Sequence, residues 1–452
     1  MRPLVVVLLT LVLLALCAGL AAPAGAAVIT PDLEKVFARV LPSDATGVAT
    51  TPGGGAAYVC GTRIFLNHGT DVTVDRVGSS AWSKYWNGPA SKNDKANDVA
   101  VSAKGQVYVV GSSQKADGDN RLLVLKYSAT GKRLWMRAWS GPTGSSPSGY
   151  RVVIDTKGRA VVVGQCKVKA ATHVFVAQYS SAGKRLWVRI SSAGYMGFMR
   201  DVYVDASNNV YIAGQCQATE GSTYNDALLL KYSATGVLRW RKTYNSPYRQ
   251  SDSYLAVCRR PGGGVYVAGG SSQSGSDSDG IVMRYTAAGT RTVVARIGEN
   301  DGAYTTLYDA AVTSDGRLVA GGTTSVGSGD GDFVIYSLSA AGDTVWSHTY
   351  DSGYILRRGE RCEFLAAYGD GGVAASGYWA RHASGDGYAQ VVKTHFFDAA
   401  GDVVDTSTWE GPAVGEMEVH DMVAKRTYVW VAGQCFSDAP HSADGFALRF
   451  DR

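Results

Sequence analysis

The sequence predicts an all-β fold, a closed β-propeller, and three observations support this class. A short apolar strand that ends on a glycine recurs eight times, tight glycine turns follow it, and no amphipathic helical stretch intervenes. The mean spacing of about 53 residues lies close to the periods of propeller repeats. The eight strand-ending glycines are Gly61, Gly111, Gly164, Gly214, Gly269, Gly321, Gly377 and Gly433.

The second copy shows the repeating module most clearly. Residues 98–102 form a short alternating strand, and a turn at 103–105 leads into the glycine-ending strand. A third strand at 122–127 and a fourth at 133–139 follow after polar and glycine-containing turns. Four short strands joined in this order predict one antiparallel meander, which is one propeller blade.

The two ends of the chain predict how the ring closes. The last module has one clear strand, 446–450, after its glycine and lacks a fourth. The segment 36–40 resembles the fourth strand of the second module, so we expect it to supply the outer strand of the last blade. The sequence favours eight four-stranded blades, with seven as the alternative because the first and last modules are the least regular.

The first 27 residues have the pattern of a secretory signal peptide. Arg2 precedes an apolar run at 4–20, and small residues at 24–27 provide a cleavage site. We therefore expect a secreted, extracellular chain in which residues 28–452 form a single β-propeller domain, as a monomer. No later segment is apolar enough to span a membrane. The net charge of +5 comes without a lysine- or arginine-rich run, so it gives no case for a nucleic-acid partner.

Six cysteines follow the signal segment. An even number in an exported chain is compatible with disulfides, and the pairing stays open. No Cys-x-x-Cys pair is present, so neither a zinc site nor a thioredoxin-like site is indicated.

The long and variable connections between successive modules predict the binding face. Variable loops on a rigid scaffold commonly carry function, and here they contain tyrosines, arginines and a histidine. The alternative is that several of these rings wedge adjacent blades together. The candidate ligand-binding residues, from the loops and from the inner strand that follows them, are Tyr150, Arg200, Asp201, Tyr254, Tyr308, Asp309, His420 and Asp421.

Two sets of acids have competing interpretations. Asp98, Asp201, Asp309 and Asp421 start the inner strand at matching positions. They either ring the channel mouth and bind a cation or polar ligand, or bond main-chain donors in their own blades, which their recurrence favours. The Asp-x-Asp pairs at 117/119, 277/279 and 330/332 suggest calcium, and turn chemistry is the competing explanation. No residue is assigned as a metal ligand.

The modules resemble bacterial secreted β-propeller repeats. The residues that carry this resemblance are Asp98 to Val101, Gly105, Val107 to Gly111, and Lys126-Tyr127. The segment Thr130 to Trp135 is also similar to a repeat element of pyrroloquinoline-quinone propellers. An adjacent cysteine pair is missing, and Tyr127 stands where that family has aspartate. The resemblance therefore implies shared blade construction without the cofactor.

No catalytic residue is assigned, because the chain has no His-x-His, His-Glu-x-x-His or Gly-x-Ser-x-Gly motif. The predicted function is a non-catalytic recognition or scaffold protein that binds an extracellular protein or glycan through the long-loop face. The alternative is a polysaccharide-active hydrolase or lyase with its acids around the channel mouth.

Overall fold

The computed structural model describes residues 27–29, 33–36, 44–168, 171–191, 195–217, 223–274, 277–298, 302–326, 331–351, 360–382, 388–411, 416–425 and 427–452. This part of the chain is all β-strand and turn. It contains no helix, and so none long and apolar enough to cross a bilayer.

Two short strands precede eight segments of the chain, which we call units 1 to 8; the first seven contain four strands each and the eighth contains three. The two strands are β1 (Ala27–Ile29) and β2 (Leu33–Val36). Unit 1 contains β3 (Gly47–Thr50), β4 (Ala56–Phe65), β5 (Gly69–Gly78) and β6 (Trp82–Trp86). Unit 2 contains β7 (Asp94–Val101), β8 (Val107–Gln114), β9 (Asn120–Tyr127) and β10 (Arg133–Trp139). Unit 3 contains β11 (Ser148–Ile154), β12 (Ala160–Val168), β13 (Ala171–Tyr179) and β14 (Arg185–Ile190). Unit 4 contains β15 (Tyr195–Val204), β16 (Val210–Gln217), β17 (Asn225–Tyr232) and β18 (Leu238–Tyr244).

The second half repeats the same order. Unit 5 contains β19 (Asp252–Arg259), β20 (Val265–Ser274), β21 (Asp277–Tyr285) and β22 (Arg291–Ile297). Unit 6 contains β23 (Ala303–Val312), β24 (Leu318–Val326), β25 (Asp332–Leu338) and β26 (Thr344–Tyr350). Unit 7 contains β27 (Arg361–Tyr368), β28 (Gly372–His382), β29 (Tyr388–Phe397) and β30 (Val403–Trp409). Unit 8 contains β31 (Met417–Lys425), β32 (Tyr428–Phe436) and β33 (Ala443–Asp451), and takes its fourth strand from elsewhere.

Each unit is an antiparallel meander in which successive strands are neighbours, as the sequence predicts. A single parallel pairing, Ser278 opposite Tyr304, additionally joins units 5 and 6. Repeated four-stranded meanders of this kind are the architecture of a β-propeller.

The fourth strand of unit 8 comes from the N-terminal segment. Strand β2 pairs antiparallel with β33, with Leu33 opposite Arg449 and Val36 opposite Phe446. The sequence predicts this pairing but places the strand at 36–40. Residues 37–40 lie outside the described part of the chain, and the paired strand begins three residues earlier. Strand β1 adds to unit 7 as a fifth strand, parallel to β30.

The repeated glycine has a steric cause. At eight matching positions, a Cβ added to the glycine would lie 1.9–2.0 Å from a main-chain carbonyl oxygen at the start of the same unit's inner strand. That distance is far inside van der Waals contact, so glycine is required there. The eight positions are Gly61, Gly111, Gly164, Gly214, Gly269, Gly322, Gly377 and Gly433. In unit 6 the glycine in this position is Gly322, one residue beyond the Gly321 that the sequence pattern selects.

A tryptophan on the outer strand links several units to the next one. The indole N–H of Trp82 donates to the Ala129 carbonyl at 3.0 Å, and that of Trp135 donates to Ser181 at 3.0 Å. The turn glycine of the following unit lies against the ring. For example, a Cβ at Gly183 would be 2.9 Å from Trp135. The repeated tryptophan and the repeated turn glycine are therefore two halves of one contact.

Eight apolar clusters fill the spaces between neighbouring units. Each cluster takes residues from two consecutive units, and the eighth takes residues from units 8 and 1. In that eighth cluster Trp430 packs with Val48 and Val59, and its indole N–H donates to the Gly54 carbonyl at 2.9 Å. The hydrophobic core thus lies between the sheets of neighbouring units.

Candidate functional site

The inner strands share one irregularity. In units 2 to 8 the pairing between the first and second strands shifts by one residue, which is a β-bulge opposite the repeated glycine. The bulge leaves one residue of the inner strand unpaired. We call these the bulge residues: Asn97, Tyr150, Arg200, Leu255, Tyr308, Glu363 and His420.

The bulge residues are all at least partly exposed, whereas their predecessors on the strand are buried. A bulge turns a side chain out of the ordinary alternation, so the same backbone feature presents side chains of varied chemistry across the units. The chemistry of the seven ranges from amide and phenol to cation, carboxylate, imidazole and alkyl.

The residue after the bulge is an aspartate in units 2, 4, 6 and 8. In each case one carboxylate oxygen accepts a hydrogen bond from the next residue's N–H, and the other accepts from the inner strand of the following unit. Asp201 Oδ1 accepts from Val202 at 2.7 Å, and its Oδ2 accepts from Val257 of unit 5 at 2.8 Å. Asp309 does the same with Ala310 and with Leu365 of unit 7, both at 2.8 Å. The main-chain role that the sequence favoured is therefore present, with the second donor in the neighbouring unit.

Arg151 occupies the equivalent position in unit 3 and is the cation of this group. We call Asp98, Arg151, Asp201, Asp309 and Asp421 the inner charge cluster. Burial raises the pKa of Asp98 to about 7 against the attraction of Arg151, and burial raises that of Asp309 to about 7. Burial acts to lower the pKa of Arg151, but Asp98 and Asp421 outweigh it and hold the pKa above its ordinary value.

A cavity of about 230 Å³ lies over this cluster, and seven units contribute to its wall. Four of the bulge residues, Arg200, Leu255, Tyr308 and Glu363, line it together with all five members of the inner charge cluster. We call it the central cavity. Arg361 lies with its guanidinium 5.4 Å from the Tyr308 ring, so a cation and an aromatic ring meet at this wall.

A histidine–carboxylate pair adjoins the central cavity. His420 Nε2 is 3.2 Å from Glu418 Oε2, and its Nδ1 is 2.9 Å from the Ala45 carbonyl oxygen. Two acceptors suit a doubly protonated ring. Burial acts to lower the pKa of His420, but Glu418 and the carbonyl outweigh it and raise the pKa. Burial also raises the pKa of Glu363, which interacts electrostatically with Glu418 and His420.

The structure brings five of the eight predicted site residues together at the central cavity: Arg200, Asp201, Tyr308, Asp309 and Asp421. His420 lies beside them. Tyr150 is 41% exposed and lines a separate groove between units 2 and 3.

Tyr254 is placed differently from the other predicted residues. It is fully buried, and its hydroxyl is 2.8 Å from that of Tyr285 in the core between units 4 and 5. Tyr254 precedes the bulge, whereas Tyr150 and Tyr308 occupy it. A shift of one residue along a strand moves a side chain to the opposite face. Leu255 therefore takes the place in the cavity wall that the sequence assigned to Tyr254.

Arg151 and Glu363 are the functional candidates that the sequence analysis missed. The signal for both is positional, because Glu363 is the bulge residue of unit 7 and Arg151 directly follows the bulge residue of unit 3. Only the pairing register reveals that position.

The Asp-x-Asp pairs have three different environments. Lys115 Nζ lies 2.8 Å from Asp117 and 3.5 Å from Asp119, and Arg296 lies 2.9 Å from Asp279. Side-chain cations thus neutralise acids of the first two pairs. Carboxylate oxygens of Asp332, Asp351 and Glu360 lie within 4.8 Å of one another, while Asp330 falls outside the described residues. Calcium at this third position stays a prediction.

The six cysteines Cys60, Cys166, Cys216, Cys258, Cys362 and Cys435 are free thiols. Five of them are buried, in different clusters between the units, so the disulfides with which the sequence is compatible do not form here.

No protein-family model and no curated protein sequence matches the chain. Among solved structures, a puromycin hydrolase mutant is similar with a TM-score of 0.47 at 13% identity. The match covers 79% of this chain and 55% of that one, so the chain spans little more than half of the hydrolase's length. A protein of unknown function from Dyadobacter fermentans gives a TM-score of 0.42 at 12% identity over 93% of this chain and 99% of that one. The WD40 domain of Neurospora crassa Pan2 gives 0.45 at 11% identity over 78% and 89%.

Proposed function

We propose that the chain is an exported, monomeric recognition protein that binds an extracellular protein or glycan through the face carrying the long connections. Its mature form would comprise residues 28–452, after removal of the signal segment. One observation carries this proposal: the same bulge in seven units holds seven side chains, most of them chemically different, at equivalent places beside one another. Variation at a fixed backbone position on a rigid frame is typical of binding surfaces.

We further propose that the eight units close into one eight-bladed ring. Three contacts between units 8 and 1 support closure: the apolar cluster around Trp430, the hydrogen bond from Val48 to Asp421, and the His420 bond to Ala45. A closed ring would hold the bulge residues in a fixed geometry and leave no open sheet edge between the first and last units.

Both carboxylate oxygens of each inner aspartate already accept main-chain hydrogen bonds, which argues against these acids as general acids or bases. Recognition through Arg200, Tyr308 and their neighbours does not require the inner aspartates to transfer a proton. At the central cavity, the bulge residues Arg200, Leu255, Tyr308 and Glu363 are side chains that can contact a ligand.

The test is a pull-down of the purified mature chain against bacterial cell walls and immobilised glycans. We expect wall binding to fall at least about tenfold in the double variant Arg200→Ala, Tyr308→Ala, because an exposed arginine and a tyrosine are typical binding anchors. The matched control is Arg133→Ala, Leu134→Ala, which removes an exposed cation and an exposed apolar side chain from outer strand β10. Thermal unfolding of both variants checks that they fold. Retention of neither walls nor glycans by the wild-type chain would refute the proposal.

The alternative, a polysaccharide hydrolase or lyase, gains support from the Glu363, Glu418 and His420 group. A carboxyl with a raised pKa beside a histidine–carboxylate pair is an arrangement suited to proton transfer. In this alternative Glu363 would donate a proton and His420 would position or exchange one. Incubation with polysaccharides, with the release of new reducing ends as readout, tests it. If Glu363→Gln abolishes turnover while Asp201→Asn retains it, the chain is an enzyme and the binding hypothesis is replaced.

A further inference from the structure

A second opening on the same face shares no wall residue with the central cavity. It is a groove of about 490 Å³ between units 2 and 3, at the ends of strands β7, β8, β11 and β12. We call it the 2–3 groove. Its wall consists of Asn93, Lys95, Asn97, Ser112, Gln114, Asn120, Ser146, Ser148, Tyr150, Gln165, Cys166, Lys167 and Thr172.

The floor of the 2–3 groove is fixed by hydrogen bonds between the two units. The Asn97 side-chain amide donates to the Gly149 carbonyl at 2.6 Å and to Ser148 Oγ at 3.2 Å. The Asn120 N–H donates to Ser146 Oγ at 2.8 Å. Because these bonds tie one unit to the next, the groove is a preformed feature of the scaffold rather than a gap between loose loops.

The chemistry of the wall is that of a carbohydrate site. Amides and hydroxyls supply donors and acceptors in about equal measure, which matches a ligand rich in hydroxyl groups. Tyr150 is 41% exposed and offers a flat face to a sugar ring. A peptide-binding groove would instead need apolar pockets for side chains, and the wall residues are mostly polar.

The charge of the wall is one-sided. Lys95 and Lys167 are exposed, and the thirteen wall residues include no carboxylate. Two exposed ammonium groups on a polar wall without carboxylates favour a ligand that brings its own negative charge.

We propose that the 2–3 groove binds an anionic saccharide, one whose sugar units carry carboxylate or sulfate groups. Lys95 and Lys167 contact the anionic groups, Tyr150 stacks on a ring, and Gln165 bonds the hydroxyls. This inference rests on the proposed recognition function and names the ligand class for one part of the same face.

The experiment is isothermal titration calorimetry of the full mature chain at about 150 mM salt, where weak long-range attraction is largely screened. The probes are an oligogalacturonate, an oligomer of dextran sulfate, neutral maltohexaose and a single-stranded oligonucleotide. We expect one of the two anionic saccharides to bind at least tenfold more tightly than maltohexaose, and the better of the two identifies the anionic group.

The matched variants are two double substitutions that remove the same charge. Lys95→Ala, Lys167→Ala changes the groove, whereas Lys104→Ala, Lys157→Ala changes exposed lysines that line a cavity between the same units on the opposite face. We expect the first pair, and separately Tyr150→Ala, to weaken binding of the anionic saccharide at least about tenfold, and the second pair to change it less than twofold. Equal losses in both double variants, equal binding of maltohexaose, stronger binding of the oligonucleotide, or no saccharide binding would each overturn the proposal.

The two proposals fail separately. Suppose that the double variant Arg200→Ala, Tyr308→Ala abolishes wall binding and that the groove variants preserve both wall and saccharide binding. The recognition function would then stand, and the proposal of an anionic-saccharide site in the groove would be rejected. Loss of saccharide binding in the groove variants alone would support the groove and place the site away from the central cavity.

Discussion

The N–H of Val48 donates a hydrogen bond of 2.7 Å to Oδ2 of Asp421, although 373 residues separate the two in the chain. It joins the inner strands of units 1 and 8 with the same geometry that joins units 2 and 3, 4 and 5, and 6 and 7. Each even-numbered unit therefore accepts, through one aspartate carboxylate, a main-chain hydrogen bond from the unit that follows it. In the odd units, the position that corresponds to the aspartate is the residue before the donating N–H. It is Gly47, Arg151, Ala256 or Phe364.

Removing one of these carboxylates should destabilise the protein. In Asp201→Asn an amide NH₂ replaces one oxygen and faces a main-chain N–H, so a buried donor loses its acceptor. We expect a loss of about 1–3 kcal/mol in the free energy of unfolding, measured by urea denaturation. The control Asp117→Asn lies on an exposed turn, where losing its surface ion pair with Lys115 should shift the midpoint little. An unchanged midpoint for Asp201→Asn would show that the hydrogen bonds accepted by Asp201 contribute nothing to stability.

Replacing the central cation should produce a defect that depends on pH. Burial raises the pKa of Asp98 and Asp309 from 3.8 to about 7. Between pH 3.8 and about 7 the folded state therefore binds more protons than the unfolded state. Stability from these groups is complete below about pH 4 and is lost as the pH rises through 7. Arg151→Met removes the charge that opposes this loss. We expect it to cost about 2 kcal/mol at pH 8 and little at pH 5, by urea denaturation. A cost independent of pH would contradict the electrostatic role.

A buried histidine should make the free energy of unfolding depend on pH in the opposite direction. His395 stacks on Tyr350 at 4.3 Å, and burial, with Lys393 and His348, lowers its pKa to about 3 from 6.5. Its share of stability is complete above pH 6.5 and is lost as the pH falls toward 3. The variant His395→Phe keeps an aromatic ring and removes the proton. The difference in unfolding free energy between wild type and variant should therefore change by up to about 1.4 kcal/mol per pH unit in this window. A constant difference would show that the ring titrates normally.

The repeated glycine should tolerate no side chain. A Cβ at Gly111 would lie 1.9 Å from the Lys95 carbonyl oxygen, so Gly111→Ala must displace the bulge in unit 2. We expect a loss of about 3 kcal/mol or more, seen as a lower thermal midpoint. Gly53→Ala is the matched control, because a Cβ there meets nothing within 4 Å. Equal midpoints for the two variants would exclude the steric explanation.

The thiols should be present but unreactive. Burial raises the pKa of Cys166 to about 11 and moves that of Cys60 and Cys362 upward as well. A thiol-specific disulfide reagent at about pH 8 should therefore label the native protein slowly, including at the partly exposed Cys258, because burial and the nearby Asp309 raise the pKa of that thiol too. After unfolding without reductant all six should react. Fewer than six thiols would reveal a disulfide.

The parts of the structure that follow from local pattern were accessible from the sequence. The alternating strands, the turn glycines and the N-terminal strand beside 446–450 each leave a signal within a few residues, because strand periodicity and turn chemistry are local. The unpaired cysteines and the neighbours of Arg151 are not local, since they depend on which units meet.

The candidate site was accessible only in part, because a bulge changes the face of a side chain. The pattern selects Tyr150, Tyr254 and Tyr308 as equivalent candidates, whereas Tyr150 and Tyr308 occupy bulges and Tyr254 lies one position before one. The same one-residue uncertainty separates Gly321 from Gly322. Hydrogen-bond register, which depends on both strands, resolves what a single strand's sequence leaves ambiguous.

The alternation of aspartate with a second residue type has a consequence for how such a chain can lengthen or shorten. A tandem duplication or deletion of one unit would put two carboxylates, or two positions without one, next to each other. Copying or losing two adjacent units keeps every carboxylate in front of an N–H that needs an acceptor. A doublet of about a hundred residues is accordingly the smallest length change that keeps this alternation of carboxylate and main-chain donor intact.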